Sequence, residues 1–431
     1  CARLKITALN NMQLEALIAM EEKDELILLS ATGSGKTLAF LVPLILSLDK
    51  HVKTIQSLII VPSRELALQI TDVLKKIQHG FKITACYGGH KREIEENSLV
   101  EPPAIIVATP GRICDHIRRK NVDLSATGFL VLDEFDKSLE LGFLEEMEFI
   151  IRSLPAVKKR MLTSATYSVE IPAFLDAANA TTLNYLHIQD GKPSTVSFHT
   201  IHAPDTDKLE TLLRLVCHLK NTSTIIFCNH RDAVERTSRF LSDNGIVNVF
   251  YHGGMEQHDR EVAMVKFRNS SSDILVTTDL ASRGLDIADI RSIVHYHLPL
   301  TEDAFVHRNG RTARMEATGN VYMIIGPGES VPGFVNDPVL KLDLLPEFTL
   351  PAKPKWSTLF IAAGKKDKVN KIDIVGFLSN KGQLKKDDIG LVDVKDHTAF
   401  AAVRKSKVGV VLELIKNEKI KNRKVKIALA R

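Results

Sequence analysis

Ser30-Ala31-Thr32-Gly33-Ser34-Gly35-Lys36-Thr37 lies between two apolar runs, Leu26-Ile27-Leu28-Leu29 before it and Leu38 to Leu46 after it. That order predicts a strand, a glycine turn and the start of a helix. Small residues let successive backbone N–H groups converge on a phosphate, and the helix N-terminus adds positive partial charge. Lys36 then reaches the terminal phosphates, and the Thr37 hydroxyl is placed to ligate Mg²⁺. Ser30 stands where the strict pattern G-x-x-x-x-G-K-[ST] has its first glycine. Alone, the loop leaves two readings open, a nucleotide cradle and an ordinary glycine turn.

Outward from the loop, residues 1–190 alternate short apolar runs with helical patterns. Strands are expected at 26–29, 58–61, 83–87, 104–108, 129–133, 161–164 and 183–188, and amphipathic helices at 64–77 and 143–154. This is the rhythm of a parallel sheet covered on both faces. The polar stretch 189–194 reads as a linker. The rhythm restarts with strands at 197–202, 224–228, 248–251, 274–277, 292–296 and 321–325, and helices at 208–219, 231–241 and 257–267. No close sequence repeat links the halves, and only the first has the glycine loop. Pro346, Pro351 and Pro354 mark a second boundary. Beyond it, strands at 371–378, 389–394, 398–403 and 424–429 with helices at 385–388 and 406–417 give the order of a ferredoxin-like module, the fold of RNA-recognition domains. The expected domains are 1–190, 191–350 and 358–431.

Charge divides the chain in the same place. Residues 352–431 hold 20 Lys and Arg against 8 Asp and Glu, a net of +12 that leaves −7 on the rest. A basic module on an acidic body suggests that the C-terminal part engages a polyanion; the bland alternative is a solvated basic face. The 5 cysteines form no C-x-x-C pair. That argues against a zinc site or a disulfide framework and for a reducing, cytoplasmic compartment. No apolar run approaches transmembrane length, and no signal-peptide pattern opens the chain, so no membrane partner is expected.

Asp133-Glu134-Phe135-Asp136 ends the apolar run Phe129-Leu130-Val131-Leu132. A carboxylate at the end of a parallel strand near a phosphate loop can hold Mg²⁺, here Asp133, and its neighbour Glu134 can act as general base on a water. His307-Arg308-Asn309-Gly310-Arg311-Thr312-Ala313-Arg314 offers arginines in a second domain, suited to stabilise a transferring phosphate. Arg64 after Val61-Pro62-Ser63, the block Thr109-Pro110-Gly111-Arg112, and Thr278 to Asp286 all follow strand ends, where a phosphodiester backbone could lie. Asn370-Lys371-Ile372-Asp373 imitates a guanine-reading motif but lies far from the glycine loop, and reads better as the start of the module's first strand.

In this order the blocks resemble the DEAD-box family of ATP-dependent RNA helicases. The matching pieces are 30–37, 62–67, Gly88-Gly89, 109–112, 133–136, Ser164-Ala165-Thr166, 257–260, 278–286 and 307–314. The resemblance implies two tandem RecA-like parallel-sheet domains followed by a small α+β module similar to RNA-recognition domains. It implies ATP and Mg²⁺, with Gln13 reading adenine, residues Ser30, Ala31, Thr32, Gly33, Ser34 and Gly35 around the phosphates, Lys36 on the terminal ones, and Thr37 and Asp133 on the metal. Glu134 would activate water, Asp136 would couple to Ser164 and Thr166, Asp286 would contact ribose, and Arg311 and Arg314 would be arginine fingers. Arg64, Thr109, Gly111, Arg112, Thr278, Arg283 and Gly284 would line an RNA path. Phe135 departs from the family's alanine, and Asn10-Asn11-Met12-Gln13 departs from its P-T-x-x-Q. The tail, through Gly376-Phe377-Leu378 and Asp388-Ile389-Gly390, is similar to the RNA-binding domain of DbpA-type bacterial helicases, which implies 23S ribosomal RNA in pre-ribosomal particles as partner. Asp373 and Thr398 occupy positions where stacking aromatics are expected, leaving Phe400, with Lys381, Lys385, Lys386, Arg404, Lys405 and Lys407 as further RNA candidates. Two rival functions are a non-enzymatic ribosomal-RNA clamp or scaffold with a vestigial ATPase, and a DNA-directed translocase, which the RNA-type tail disfavours.

Overall fold

A computed structural model describes residues 8–430 apart from 31–32, 78–79, 166–170, 176, 178–179, 187–195, 280–289, 313–317 and 422. They form two bodies, the first containing one sheet and the second containing a further sheet and the C-terminal module.

The first body has seven strands: β1 Glu25–Ser30, β2 Ser57–Ile60, β3 Ile83–Cys86, β4 Ile105–Ala108, β5 Phe129–Leu132, β6 Lys159–Ser164 and β7 Thr181–Tyr185. Their order is β3-β4-β2-β5-β6-β1-β7, and every pairing is parallel. The helices are α1 Asn11–Glu22, α2 Lys36–Leu46, α3 Arg64–Ile77, α4 Arg92–Leu99, α5 Pro110–Arg118, α6 Phe135–Glu140 and α7 Leu144–Arg152. The central strands β2, β4 and β5 are buried throughout. A sheet covered on both faces needs continuous apolar runs, and Leu58-Ile59-Ile60 and Phe129-Leu130-Val131-Leu132 are such runs. Two hydrophobic clusters share alternate residues of these strands, Ile59 and Val131 in one, Leu58, Ile60, Leu130 and Leu132 in the other.

The second sheet contains β8 Val196–His202, β9 Thr224–Phe227, β10 Val249–Tyr251, β11 Ile274–Thr277, β12 Ser292–His295, β13 Gly319–Ile325 and β14 Val339–Lys341. The helices are α8 Leu209–Leu219, α9 Arg231–Asp243, α10 Gln257–Arg268 and α11 Glu302–Asn309. Its order, β10-β11-β9-β12-β13-β8-β14, repeats that of the first sheet strand for strand. The expected strands of both halves are present to within a few residues. The edge strand β14 and the helices α1, α4, α5, α6 and α11 have no counterpart in the expected elements.

The C-terminal module is built of β15 Trp356–Ile361, α12 Lys371–Asn380, β16 Ile389–Val394, β17 Ala399–Arg404, α13 Val408–Ile415, a small hairpin of β18 Lys419–Ile420 and β19 Arg423–Lys424, and β20 Ile427–Leu429. The antiparallel sheet runs β16-β17-β15-β20. The expected order β-α-β-β-α-β holds, but its first strand is misplaced. Residues 371–378 are helical, because Asn370 and Asp373 close a capping box and Ile374, Phe377 and Leu378 bury one face. The true first strand is Trp356-Ser357-Thr358-Leu359-Phe360-Ile361, and 385–388 holds only a short 3₁₀ turn.

Candidate nucleotide and RNA sites

The glycine loop is stitched from within and from α1. Gly33 and Gly35 have φ of 88° and 97°, in the left-handed region. Ser30 Oγ donates to Ser34 Oγ at 2.6 Å, and Lys36 Nζ donates to the Ser30 carbonyl at the end of β1. Asn10 Nδ2 donates to Ser34 O at 3.1 Å, and Gln13 Nε2 to Gly35 O at 3.2 Å. A side chain at position 35 would collide with the Gln13 amide. Gln13 Oε1 accepts from Asn10 N at 3.0 Å, so the start of α1 and the loop share one capping network. Thr37 is half-buried in the first turn of α2. Ala31 and Thr32 lie outside the described residues.

Asp133, Glu134 and Asp136 are all buried at the end of β5. Glu134 has φ 49°, an unusual conformation for a side chain of that size. The register pairs Leu132 with Leu162, which sets Thr163 beside Asp133. Thr163 Oγ1 donates to Asp133 Oδ1 at 2.5 Å and accepts from Glu134 N at 3.2 Å. Ser164 Oγ donates to Asp136 Oδ2 at 2.9 Å. Thr163 is absent from the residues expected from sequence; its signal is a hydroxyl inside the buried run Met161-Leu162-Thr163-Ser164. Burial, and next the charge of Glu134, pushes the Asp133 pKa up to about 7, with Thr163 and Lys36 opposing. Three buried carboxylates within one turn, faced by the ammonium of Lys36, are a donor set with surplus negative charge and hard oxygens, which fits Mg²⁺.

At the C-terminal ends of β2, β3 and β4, three of the arginine and glycine blocks meet. Ser63 Oγ accepts from Leu66 N at 3.2 Å where α3 starts at Arg64. The Arg64 guanidinium lies on Gly89, whose φ is 94°; a Cβ there would overlap it. Thr109 stands at the N-cap position of α5 without a side-chain capping bond, and Gly111 sits in its first turn with open space where a Cβ would project. Arg112 Nε donates to Tyr87 O at 3.2 Å and Nη2 to His90 O at 3.0 Å. Below this turn is Glu95, which sequence reading overlooked, because a glutamate among the charged residues of Arg92–Leu99 looks like a solvated one.

In the second sheet Thr278 follows β11, and Arg311 is buried. Arg308 is fully buried and gathers the strand ends. It donates through Nε to Asp279 Oδ1 at 2.5 Å, through Nη1 to His297 O at 2.8 Å and through Nη2 to Asn229 Oδ1 at 2.8 Å, with its guanidinium 5.2 Å from the Phe227 ring centroid. Thr166, Arg283, Gly284, Asp286, Arg314 and the stretch 189–194 lie outside the described residues.

The module's aromatic face differs from expectation. With β15 at 356–361, Phe360 pairs directly across from Phe400, ring centroids 5.7 Å apart. Asp373 and Thr398 are therefore not the platform positions; Asp373 accepts from Asn370 N at 2.8 Å and completes the capping box of α12. Phe400 is fully buried against Val262 and Val265 of α10, and His258 stands edge-on to Phe360 at 5.6 Å. Asn269 Nδ2 donates to Thr358 Oγ1 at 2.9 Å across the same contact. The face on which bases would stack instead joins the module to the second sheet's domain. Lys381, Lys385, Lys386, Lys405 and Lys407 are exposed, while Arg404 lies over the Trp356 ring at 5.0 Å.

Comparison with known proteins agrees with this architecture. The DEAD/DEAH box helicase family matches residues 10–174, the helicase conserved C-terminal domain 207–316, and the DbpA RNA binding domain 358–429. The chain belongs to the DEAD-box family of ATP-dependent RNA helicases, and is an RNA-dependent ATPase. It is 30% identical to the ATP-dependent RNA helicase DbpA of Bacillus subtilis, over 98% of this chain and 95% of that one. It is 31% identical to DbpA of Escherichia coli, over 97% and 93%. In fold it is similar to S. cerevisiae Dbp5 bound to RNA and ADP BeF3, with a TM-score of 0.68 at 24% identity over 79% of this chain and 91% of that one. Among the described residues no helix is long and apolar enough to cross a membrane.

Proposed function

We propose that this helicase remodels ribosomal RNA during assembly of the large ribosomal subunit, in the cytoplasm, with the C-terminal module as its tether to 23S ribosomal RNA. The observation that supports this reading is a module of net charge +12 that matches the DbpA RNA binding domain and packs on the second domain through β15 and α10. Its RNA-recognition-like sheet puts Phe360 and Phe400 into that packing, which leaves the exposed lysines for RNA. Within the core, Lys36 binds the terminal phosphates of ATP, and Thr37 and Asp133 hold Mg²⁺, which screens phosphate charge when bound. Gln13 reads adenine and Glu134 draws a proton from the attacking water. Asp136 and Ser164, with Thr166, couple hydrolysis to domain closure. Asp286 contacts ribose, and Arg311 and Arg314 are arginine fingers supplied by the second domain. Arg64, Thr109, Gly111, Arg112, Thr278, Arg283 and Gly284 grip single-stranded RNA by its backbone. The test is RNA-stimulated ATP hydrolysis with fragments of 23S ribosomal RNA and with generic single strands. One fragment should reach half-maximal stimulation at about tenfold lower concentration than generic RNA, a preference of about 1.4 kcal/mol. Equal half-saturation by every RNA would sink the ribosomal reading.

A further inference from the structure

Glu95 is a carboxylate at 2% exposure on α4, and it is surrounded by donors. Its Oε1 accepts from Tyr87 N at 2.9 Å and lies 3.0 Å from His90 Nε2. Its Oε2 accepts from His116 Nε2 at 2.7 Å and lies 3.5 Å from Arg112 Nε. Arg112 in turn clamps the carbonyls of Tyr87 and His90, and Arg64 lies on Gly89 between them. The charge therefore fixes both the turn 87–90 and the arginine of the Thr109–Arg112 block, from beneath.

The same place has the donor set of a metal site, since Cys86, Glu95 and His116 bring ligand atoms within 4.8 Å of one another. The hydrogen bonds argue otherwise. Asn121 Nδ2 donates to Glu96 Oε1 at 3.1 Å, which fixes its amide, and also to His116 Nδ1 at 3.2 Å. His116 Nδ1 is thus the acceptor, and Nε2 carries the proton given to Glu95. A guanidinium beside the carboxylate also opposes a cation, and burial holds the Cys86 thiol far above its usual pKa, in the protonated form. Protons and a guanidinium, not a metal, satisfy Glu95.

We propose that Glu95 is a positioning residue for RNA: a buried carboxylate that pre-sets Arg112 and the 87–90 turn under Arg64, so that the strand's phosphates meet guanidinium groups already in place. This rests on the reading of Arg64 and Arg112 as RNA-binding. Glu95 holds the turn by a buried, charge-assisted hydrogen bond from Tyr87 N and draws the Arg112 guanidinium by an ion pair at 3.5 Å, while Arg112 itself bonds the turn's carbonyls.

The experiment measures half-saturating RNA, kcat and half-saturating ATP in RNA-stimulated hydrolysis by the full chain, for Glu95→Ala, Glu95→Gln, Arg112→Ala and the double variant Glu95→Ala/Arg112→Ala. Half-saturating RNA should rise about tenfold in Glu95→Ala and about threefold in the isosteric Glu95→Gln, with half-saturating ATP changed less than about twofold. The double variant should be no worse than about twofold beyond Arg112→Ala, because both act through one guanidinium. Unchanged RNA half-saturation in folded Glu95→Gln, or fully additive losses in the double variant, would overturn the proposal. So would one zinc ion per chain in the purified protein. If Arg112→Ala alone leaves RNA half-saturation unchanged, the RNA-binding reading of that block fails, and the proposal with it; a loss in Arg112→Ala without one in Glu95→Gln defeats the proposal alone.

Discussion

The two large sheets share one strand order, and their ladders match residue for residue, yet their loops do opposite work. In the first, Ser57 faces Ile105 and Phe129; in the second, Thr224 faces Ile274 and Ser292. Four residues beyond Ile105 and Ile274 stand Thr109 and Thr278, both expected RNA contacts. Carried to the edge strands, the same register sets Gly88-Gly89 opposite Gly253-Gly254 as equivalents, a repeat too short to stand out in the sequence. Three residues after each glycine pair a helix begins, α4 or α10, and its fourth residue is buried and charged: Glu95 in the first, Arg260 in the second. At the glycine loop the contrast is sharper. The equivalent of Ser30–Lys36 is Ala203-Pro204-Asp205-Thr206-Asp207-Lys208-Leu209, with no glycine, a proline lacking its N–H, and two carboxylates, one of them, Asp207, 2.5 Å from Arg236. Backbone topology places loops at the strand ends; the residues in them decide whether a loop offers convergent N–H groups or carboxylates. The two edges are also held by hubs of opposite sign, the carboxylate of Glu95 in one and the guanidinium of Arg308 in the other.

The largest effect should come from removing the cationic hub. Arg308→Met keeps the apolar contact with Phe227 but strands Asn229 and the His297 carbonyl; Asp279, being partly exposed, regains water. A stability loss of about 3 kcal/mol is expected in the second body, read as lost hydrogen-exchange protection in β9 and β12 with β2 and β5 unchanged. Loss spread equally over both sheets would break the picture of two separate hubs. Next is Thr163→Val, at a position where the second sheet carries Ile324 and needs no hydroxyl. Removing the hydroxyl from Asp133 and from Glu134 N should destabilise the first body by about 1–2 kcal/mol and lower kcat about tenfold with a smaller change in half-saturating ATP. An unaltered kcat would make Thr163 a packing residue only.

The smallest effect is a pH dependence centred on a buried histidine of the second sheet. Burial, and next the charge of Arg308, lowers the His295 pKa from 6.5 to about 3. Because the folded pKa is depressed, the neutral ring's contribution is intact above 6.5 and is lost as pH falls from 6.5 toward 3. Between pH 7 and 5.5 His295 should cost the second body about 1 kcal/mol, seen as a falling unfolding midpoint that His295→Gln makes shallower. A midpoint equally steep in His295→Gln would refute the assignment.

Strand positions in both large domains were legible because buried parallel strands must be continuous apolar runs flanked by turn residues, as in Leu58-Ile59-Ile60 before Pro62. The helix at 64–77 was legible from its amphipathic period. The first strand of the module was not: Asn370 to Leu378 carries five apolar residues against four in Trp356 to Ile361, and the Asn370–Asp373 capping box together with the buried face of Ile374, Phe377 and Leu378 makes it a helix.

By itself the sequence determined the two-fold α/β rhythm, the basic module and the residue types at each strand end, because these follow from local period, composition and motif spacing. Only the tertiary structure decided which residues meet. Thr163 reaches Asp133 across a strand register, Glu95 reaches Arg112 from another helix, and Phe400 turns from an expected stacking surface into a joint with α10. Each of these contacts joins residues 17 or more positions apart along the chain, and closing such a loop leaves no periodic trace in the sequence.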